Sequence, residues 1–122
     1  MAATKLISMH RDAGHSVLNC LRKRIAYSLN PDKTNNGQYV SSYGCTVGYI
    51  AEEFMLMRRE YLVNTGRAPN GEIIAYQIRQ SFKPGEITAE LANRLGYETA
   101  MRFTKGEHAF VVATHVDREH IQ

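Results

Sequence analysis

The chain is poor in the residues that build disulfide-linked, redox or membrane-embedded proteins. Its 122 residues include no tryptophan, three prolines and only two cysteines, Cys20 and Cys45, which do not form a Cys-x-x-Cys motif. We therefore expect two buried, reduced thiols rather than a disulfide framework. No apolar run approaches the length that spans a bilayer, and residues 1–7 lack the apolar core of a secretory signal. These absences favour a cytoplasmic protein with no membrane segment.

The composition is that of a single globular domain. Hydrophobic residues make up 43% and charged residues 22% of the chain, which is ordinary for a protein with a packed core. The sequence contains no internal repeat, low-complexity segment or linker, so residues 1–122 are expected to form one domain. The net charge of +3 and the pI of about 9.0 permit a polyanionic partner without requiring one.

Apolar periodicity predicts strands that alternate with helices along the chain. Strands are expected over 4–10, 72–82 and 109–113, with 39–46 either a strand or an ordered loop, and helices over 17–29, 50–64 and 88–104. Pro31 and Gly66 mark two helix ends, and Thr88 marks a helix start. Helices between strands usually indicate parallel crossovers, but periodicity does not exclude antiparallel pairing. We expect a two-layer α/β (α+β) fold, with a mostly antiparallel sheet of four to five strands and helices packed on it.

Two histidines follow the last predicted strand. His115 and His120 lie with Asp117 and Gln122 in the final eight residues. On a continuing strand His120 and Gln122 would share one face, and a turn near Asp117 would bring His115 toward them. Imidazole and carboxylate groups suit manganese, zinc, nickel or iron, and magnesium where water completes the shell. The alternative is a pair of surface histidines at a strand exit, which spacing alone does not exclude.

Tyr27 is a candidate nucleophile near the end of the first predicted helix, between Arg22–Arg24 and Lys33. A phenol attacks as its phenolate, which a nearby base, cation or metal favours. Tyr27 can instead pack its ring on the core, as most of the seven tyrosines must. Tyr39 and Tyr43 compete for the nucleophilic role, so the residues alone leave the assignment open.

Positive charge is spread over several predicted elements. The cations concerned are Arg22, Lys23, Arg24, Arg58, Arg59, Arg79, Lys83 and Lys105. Where some of them converge on one face, they would neutralise phosphates and position a nucleic acid strand, with Ser41, Ser42 and Tyr43 adding neutral contacts. A solvated helix face is the ordinary explanation, and the interleaved glutamates of the second helix fit it.

The strand predicted over 72–82 has one polar face. Gln77, Arg79 and Ser81 alternate there with Tyr76, Ile78 and Gln80. Side chains two residues apart point to the same side of a strand. This face is therefore either exposed to solvent or part of the lining of a site.

Three segments match a known pattern in their order and spacing. The first is IAYSLNPDKT, residues 25–34, the second is YQIRQSFKPGE, residues 76–86, and the third is ATHVDREHIQ, residues 113–122. They resemble the N-terminal part of relaxases, the mobilization nucleases of conjugative plasmids and integrative elements. Within that group the chain is similar to the tyrosine relaxases with a histidine-hydrophobic-histidine metal motif. The first segment resembles their tyrosine motif, the second their central strand and Ser-Phe-x-Pro-Gly turn, and the third the start of their metal motif.

The third segment departs from the relaxase pattern, which is often His-x-Asp-x-x-His-x-His-x-His. Gln122 stands where the family often has a metal-binding histidine. The chain ends two residues short of the final histidine of that pattern, so we expect the last strand of the metal site to be missing. Residues 1–122 are then an incomplete nuclease domain, cut short by fragmentation or truncation.

The resemblance implies a role for each candidate residue. Tyr27 would attack single-stranded DNA at a transfer origin and form a 5′-phosphotyrosine intermediate for conjugative mobilization, while Asp117 orients His115. His115, His120 and Gln122 would hold a divalent metal ion, magnesium or manganese in preference to zinc or nickel. The DNA-binding residues would be Arg22, Lys23, Arg24, Lys33, Arg79, Ser81 and Lys83.

The resemblance also implies partners, and two other functions stay open. The expected partners are single-stranded DNA, a relaxosome accessory protein and a second copy of the chain, paired through an exposed sheet edge. The main alternative is a relaxase fragment that binds DNA or an accessory protein without performing chemistry. The other is an unrelated small α/β domain whose histidines are accidental.

Overall fold

The computed structural model describes residues 3–11, 13–66, 73–117 and 121–122. In that part of the chain the strands are β1 (Ala3–His10), β2 (Val40–Tyr43), β3 (Ile73–Ser81) and β4 (Phe110–Ala113). The helices are α1 (Val17–Ser28), α2 (Ile50–Thr65) and α3 (Ala89–Thr104). The predicted mixed α+β class is confirmed. Within the described ranges, no helix has both the length and the apolar character needed to cross a membrane.

The strands pair in two antiparallel ribbons. β1 pairs with β3, and β2 pairs with β4. The antiparallel pairing is confirmed, but the described strands form two two-stranded sheets where the sequence predicted one sheet of four to five strands. Residues 121–122 lie between the two ribbons and bond to the chain just after β3 and just after β4. The Phe82 amide donates to the Ile121 carbonyl, and the amides and carbonyls of His115 and Gln122 bond to each other.

Local capping explains where the helices begin and end. The Ser16 hydroxyl accepts a hydrogen bond from the Asn19 amide at 3.1 Å and starts α1. Pro31 disfavours helix at the residue before it, and α1 ends at Ser28, one residue before the predicted end at residue 29. Thr88 caps the start of α3 in the same way, with its hydroxyl 3.2 Å from the Leu91 amide. These boundaries need no tertiary contact.

Both cysteines are reduced thiols, but only Cys20 has the predicted burial, since Cys45 is partly exposed. Cys20 is buried on α1. Cys45 lies just after β2, where its thiol donates to the Phe110 carbonyl at 3.5 Å. Burial raises the pKa of Cys45, and the negative charge of Glu53 adds to the effect. The protonated form of Cys45 is therefore favoured, which makes this thiol a poor nucleophile.

The buried face of α3 differs from the predicted one. Apolar spacing predicts a buried face made of Leu91, Ala92, Leu95, Tyr97 and Met101. Ala92 is buried at 5% exposure, whereas Leu91 and Leu95 are 43% and 36% exposed. Gly96 is the cause, because its missing side chain lets the helix approach Val112 of β4. A Cβ added at Gly96 would lie 2.9 Å from Val112 Cγ1. The helix is thus rotated so that its small residues face the ribbon and its leucines face outward.

Replacing Gly96 with alanine tests this close approach. We expect a loss of about 1 kcal/mol in the free energy of unfolding. The strain of overpacking, about 1–3 kcal/mol, exceeds the gain in helix propensity of about 0.5–1 kcal/mol. Urea unfolding measures the difference. The same substitution in a Val112→Ala background should be neutral or stabilising; an equal loss in both backgrounds would mean that Val112 does not set the helix position.

Candidate active site around Tyr27 and His115

The loop after α1 is folded around Thr34. This residue is fully buried, its hydroxyl donates to the Asn30 carbonyl at 3.1 Å, and it accepts from the Gly37 amide at 3.2 Å. Asn35 and Asn36 take positive φ angles of 53° and 57°, a conformation that asparagine tolerates better than most residues. Because the buried Thr34 hydroxyl both donates and accepts a hydrogen bond, the loop is rigid. Its backbone carbonyls are therefore held in place to accept hydrogen bonds from another segment.

That segment is the chain immediately after β4. The Thr114 amide donates to the Tyr39 carbonyl at 2.9 Å, and the Val116 amide donates to the Lys33 carbonyl at 2.7 Å. The Lys33 ammonium also lies 3.0 Å from the Asp117 carboxylate. These contacts join the end of α1 to the end of β4, although the two are far apart in sequence.

As a result, Tyr27 and His115 come together. Their ring centroids are 6.2 Å apart, and the rings meet edge to face at 77°. The Lys33 ammonium lies 5.3 Å from the centroid of the Tyr27 ring, within the range of a cation–π interaction. The Tyr27 side chain is nevertheless 58% exposed, so a ligand in solvent can reach it. A phenol that two neighbours orient but do not cover suits attack on an incoming group.

A hydrogen bond to the backbone sets the tautomer of His115. Its Nε2 atom lies 2.8 Å from the Ser28 carbonyl oxygen. Since a carbonyl can only accept, Nε2 carries the proton and Nδ1 of the neutral ring keeps a free lone pair. Metal-binding histidines usually donate their other ring nitrogen to such a group. The sequence had assigned that orienting role to Asp117, whereas the Asp117 carboxylate bonds to Lys33.

Gln122 lies directly beside His115. Their paired backbone hydrogen bonds make the two residues cross-strand neighbours, with side chains on one side. The Gln122 amide nitrogen donates to the Ser81 hydroxyl at 2.9 Å. Among the residues that the structure describes, no three His, Cys, Asp or Glu side chains converge as a metal site would require. The predicted ligand His120 lies outside the described residues. Of the three predicted ligands, His115 and Gln122 are thus the two that the structure describes, and they lie side by side.

A basic cleft opens beside Tyr27. It has a volume of about 380 Å³, and its polar lining comes from His10, Lys23, Arg24, Tyr27 and Arg79. The apolar lining comes from Met9, Cys20 and Ile74. Side chains of α1 thus face the β1–β3 ribbon across a positively charged gap. A single strand of nucleic acid could place phosphates on the cations and bases on the apolar floor.

The predicted DNA-binding cations divide into two groups. Lys23, Arg24 and Arg79 line the cleft. Arg22 instead points to α2, where it bonds to the Glu52 carboxylate at 2.8 and 3.1 Å. The Arg22 hydrogen bond lowers the pKa of Glu52. Lys33 is held by Asp117, so its charge acts on Tyr27 and on the loop.

The remaining predicted DNA contacts differ in their surroundings. Ser81 accepts the hydrogen bond from Gln122 and therefore belongs to the end of the site near His115. Lys83 is exposed beyond β3, where its carbonyl accepts from the Glu86 amide. The sequence did not single out His10, which also lines the cleft. A lone histidine at the end of a short strand has no spacing signal, so only the pairing of β1 with β3 could reveal it.

The hydroxyls of the two competing tyrosines, Tyr39 and Tyr43, form hydrogen bonds away from His115. The Tyr39 hydroxyl lies 3.2 Å from the Glu90 carboxylate. Desolvation and the charge of Glu90 raise the pKa of Tyr39, which disfavours its phenolate. The Tyr43 hydroxyl donates to the Gly106 carbonyl at 2.9 Å, and its ring stacks on Phe110. Of these three tyrosines, Tyr27 has the surroundings of a nucleophile.

Changing Thr34 to valine tests the rigidity of the loop. Valine keeps the shape but leaves the Gly37 amide without its acceptor, which should lower the free energy of unfolding by about 1–3 kcal/mol. Amide hydrogen exchange of Gly37 and Val116 should accelerate. Thr34→Ser serves as the control, since it loses a methyl group but keeps the hydroxyl. Equal exchange rates in the two variants would contradict the role of the hydroxyl.

The link between Lys33 and Asp117 should depend on pH. The hydrogen bond from Lys33 lowers the pKa of Asp117 below its ordinary value of 3.8. A carboxylate with a lowered folded pKa stabilises the fold fully above its unfolded pKa, and the contribution is lost as pH falls through the folded value. A double-mutant cycle of Lys33→Met and Asp117→Asn, read by urea unfolding, should give a favourable coupling near neutral pH. The coupling should vanish in strong acid; if it persists there, the interaction is not ionic.

Comparison with known proteins places these residues in a family. The family described as "Relaxase: MobA/VirD2-like, nuclease domain" matches residues 27–122, a range that begins at Tyr27. The group II intron-interrupted relaxase LtrB of Lactococcus lactis subsp. cremoris (strain MG1363) is 36% identical over 115 residues, covering 78% of this chain and 20% of that protein. A Protein rlx of Staphylococcus aureus is 38% identical over 80 residues, covering 66% of this chain and 23% of that protein.

The matches cover most of this chain but only a small part of each relative. The chain spans about a fifth of the length of the curated relatives it matches. No solved structure matches it. The family match covers Tyr27, the loop after α1 and the segment around His115, which are the parts that the fold brings together. The chain belongs to the MobA/VirD2-like relaxase nuclease domain family.

Proposed function

We propose that this chain is the nuclease part of a relaxase that nicks single-stranded DNA at a transfer origin, with Tyr27 as nucleophile. The observation that carries the proposal is the meeting of the Tyr27 and His115 rings, at 6.2 Å, beside a basic cleft. An exposed phenol, an oriented imidazole and cations that line the adjoining cleft are the groups that phosphodiester transfer to a tyrosine needs.

The reaction conserves the energy of the phosphodiester bond. The Tyr27 oxygen forms a bond to phosphorus, and the bond from phosphorus to the 3′-oxygen breaks. Solvent takes the phenol proton, and the leaving oxygen gains a proton to become a 3′-hydroxyl. The products are a 5′-phosphotyrosine and a free 3′ end. The reverse attack by a 3′-hydroxyl restores a continuous strand, so the step supports conjugative mobilization.

His115, Gln122 and His120 are the proposed ligands of a divalent metal ion, magnesium or manganese in preference to zinc or nickel. The bound ion would stabilise negative charge on the scissile phosphate as a Lewis acid. The Ser28 carbonyl fixes the His115 ring so that Nδ1 is the atom available to bind. Lys33 and Asp117 act through position, because the ammonium holds the Tyr27 ring and the carboxylate holds the ammonium.

The cleft cations are proposed to hold the DNA backbone. Lys23, Arg24 and Arg79 line the same cleft as Tyr27, so a strand bound to them would pass the phenol. Arg22 and Lys33 are engaged by Glu52 and Asp117, so they contribute less to binding. A cytoplasmic location, a relaxosome accessory protein and a homodimer formed through a sheet edge remain predictions from the sequence.

One observation favours a second candidate, a fragment that binds DNA without cleaving it. Gln122 stands beside His115, where a histidine would be the stronger ligand. An amide oxygen binds a divalent cation more weakly, so a chain of this composition could retain the basic cleft and lack the chemistry. The two candidates differ only in whether a covalent adduct forms.

Changing Tyr27 to phenylalanine tests the proposed chemistry. The protein is incubated with a random-sequence pool of single-stranded DNA and manganese or magnesium, and covalently attached molecules are recovered after denaturation. We expect an adduct with the unaltered chain and none with Tyr27→Phe, because phenylalanine has no nucleophilic oxygen.

Tyr39→Phe and Tyr43→Phe are the matched controls, and both should retain the adduct. An adduct that survives Tyr27→Phe would overturn the assignment of the nucleophile. Binding of the pool by the unaltered chain, measured by gel shift, with no adduct under any metal condition would establish the binding fragment instead.

A further inference from the structure

Lys5 and Arg79 form an uncompensated pair of like charges on the β1–β3 ribbon. The register places the two residues directly opposite each other on one face. In antiparallel strands such pairs have Cβ atoms about 4.5–5.5 Å apart, and like charges at this distance are destabilising. Within the described part of the chain, neither side chain forms an ion pair with a carboxylate. By contrast, Arg22 and Lys33 both have acidic partners.

A second feature that lowers the stability of the fold lies next to this pair. Gln77 precedes Arg79 by two residues on β3, so both side chains share the face that carries Lys5. The Gln77 side-chain oxygen is shielded from solvent and has no hydrogen-bond partner among the residues described. Buried acceptors in folded proteins are almost always paired. One face of the ribbon thus carries two features that lower stability, the pair of cations and the Gln77 oxygen without a hydrogen bond. Such features are expected at a functional surface.

This face adjoins the proposed reaction centre. Arg79 lines the same cleft as Tyr27. Ser81 is the next residue on that face, and its hydroxyl accepts from Gln122, the backbone partner of His115. Arg79 is therefore part of the cleft, and the register places Lys5 opposite it on the ribbon. An anion between the two cations would turn their repulsion into attraction, and the cleft leads a DNA backbone to this point.

We infer that Lys5 and Arg79 together bind a non-scissile phosphate of the single strand, next to the phosphate that Tyr27 attacks. Lys5 is thus a positioning residue that lies outside the matched range 27–122. The inference rests on the proposed function for the identity of the anion, but it is tested by binding and stability rather than by cleavage.

Lys5→Glu separates a binding role from a structural one, because the two quantities should move in opposite directions. Glutamate opposite Arg79 replaces repulsion with attraction, so the midpoint of thermal unfolding should rise by about 1–4 °C. Affinity for a fluorescent oligothymidylate should fall about tenfold or more at low salt. With Lys5→Gln, the slope of log affinity against log salt should become less steep by about 0.7, the value for one phosphate of a single strand.

Arg94→Glu and Arg94→Gln are the matched controls, since they change the charge equally at an exposed position on α3. Their affinity and salt slope should stay close to those of the unaltered chain. If Lys5→Glu leaves oligothymidylate affinity unchanged, or lowers it no more than Arg94→Glu does, the subsite is wrong. A lower unfolding midpoint for Lys5→Glu would also overturn it, because the Lys5–Arg79 pair would then not destabilise the fold.

The inference and the proposed function fail separately. An unaltered chain that forms the Tyr27 adduct, together with normal binding by Lys5→Glu, removes the subsite and leaves the nuclease. A chain that forms no adduct but shows the Lys5 effects on affinity, salt slope and stability removes the chemistry and leaves the subsite.

Discussion

The candidate site depends on the docking of the loop after α1 against the chain after β4. Two backbone hydrogen bonds, from Thr114 to Tyr39 and from Val116 to Lys33, hold these segments together. Backbone bonds give the junction a fixed register, and the fully buried Thr34 keeps the loop rigid enough to form them. Tyr27 and His115 lie at the two ends of this junction, so their approach at 6.2 Å is a consequence of main-chain geometry.

The distribution of charge follows from the same arrangement. Cations near the helix contact and the loop junction are paired with carboxylates, as Arg22 is with Glu52 and Lys33 is with Asp117. The cations that face the gap between α1 and the β1–β3 ribbon, such as Lys23 and Arg24, line an open cleft. Exposed ion pairs contribute little to stability. Their main effect here is to separate structural cations from those available to a polyanion.

Packing of α3 shows how far sequence patterns reach. Periodicity located the helix and its cap at Thr88 correctly, because both depend on local hydrogen bonds and spacing. It placed Ala92 on the buried face correctly but also placed Leu91 and Leu95 there, and these two leucines are largely exposed. The helix instead turns Ala92 and Gly96 toward β4, where close approach to Val112 leaves no room for a side chain. Shape complementarity between two elements outweighed hydrophobicity within one of them.

The sequence by itself determined the three helices, three of the strands, their approximate boundaries and the motif segments that resemble relaxases, because capping, proline and apolar periodicity act over a few residues. Only the tertiary structure decided which strands pair, and therefore that Lys5 lies opposite Arg79 and that His10 reaches the cleft. It also decided that His115 Nε2 bonds to the Ser28 carbonyl, while the Asp117 carboxylate bonds to Lys33. These outcomes depend on the register between segments distant in the chain, and local preferences contain no information about that register.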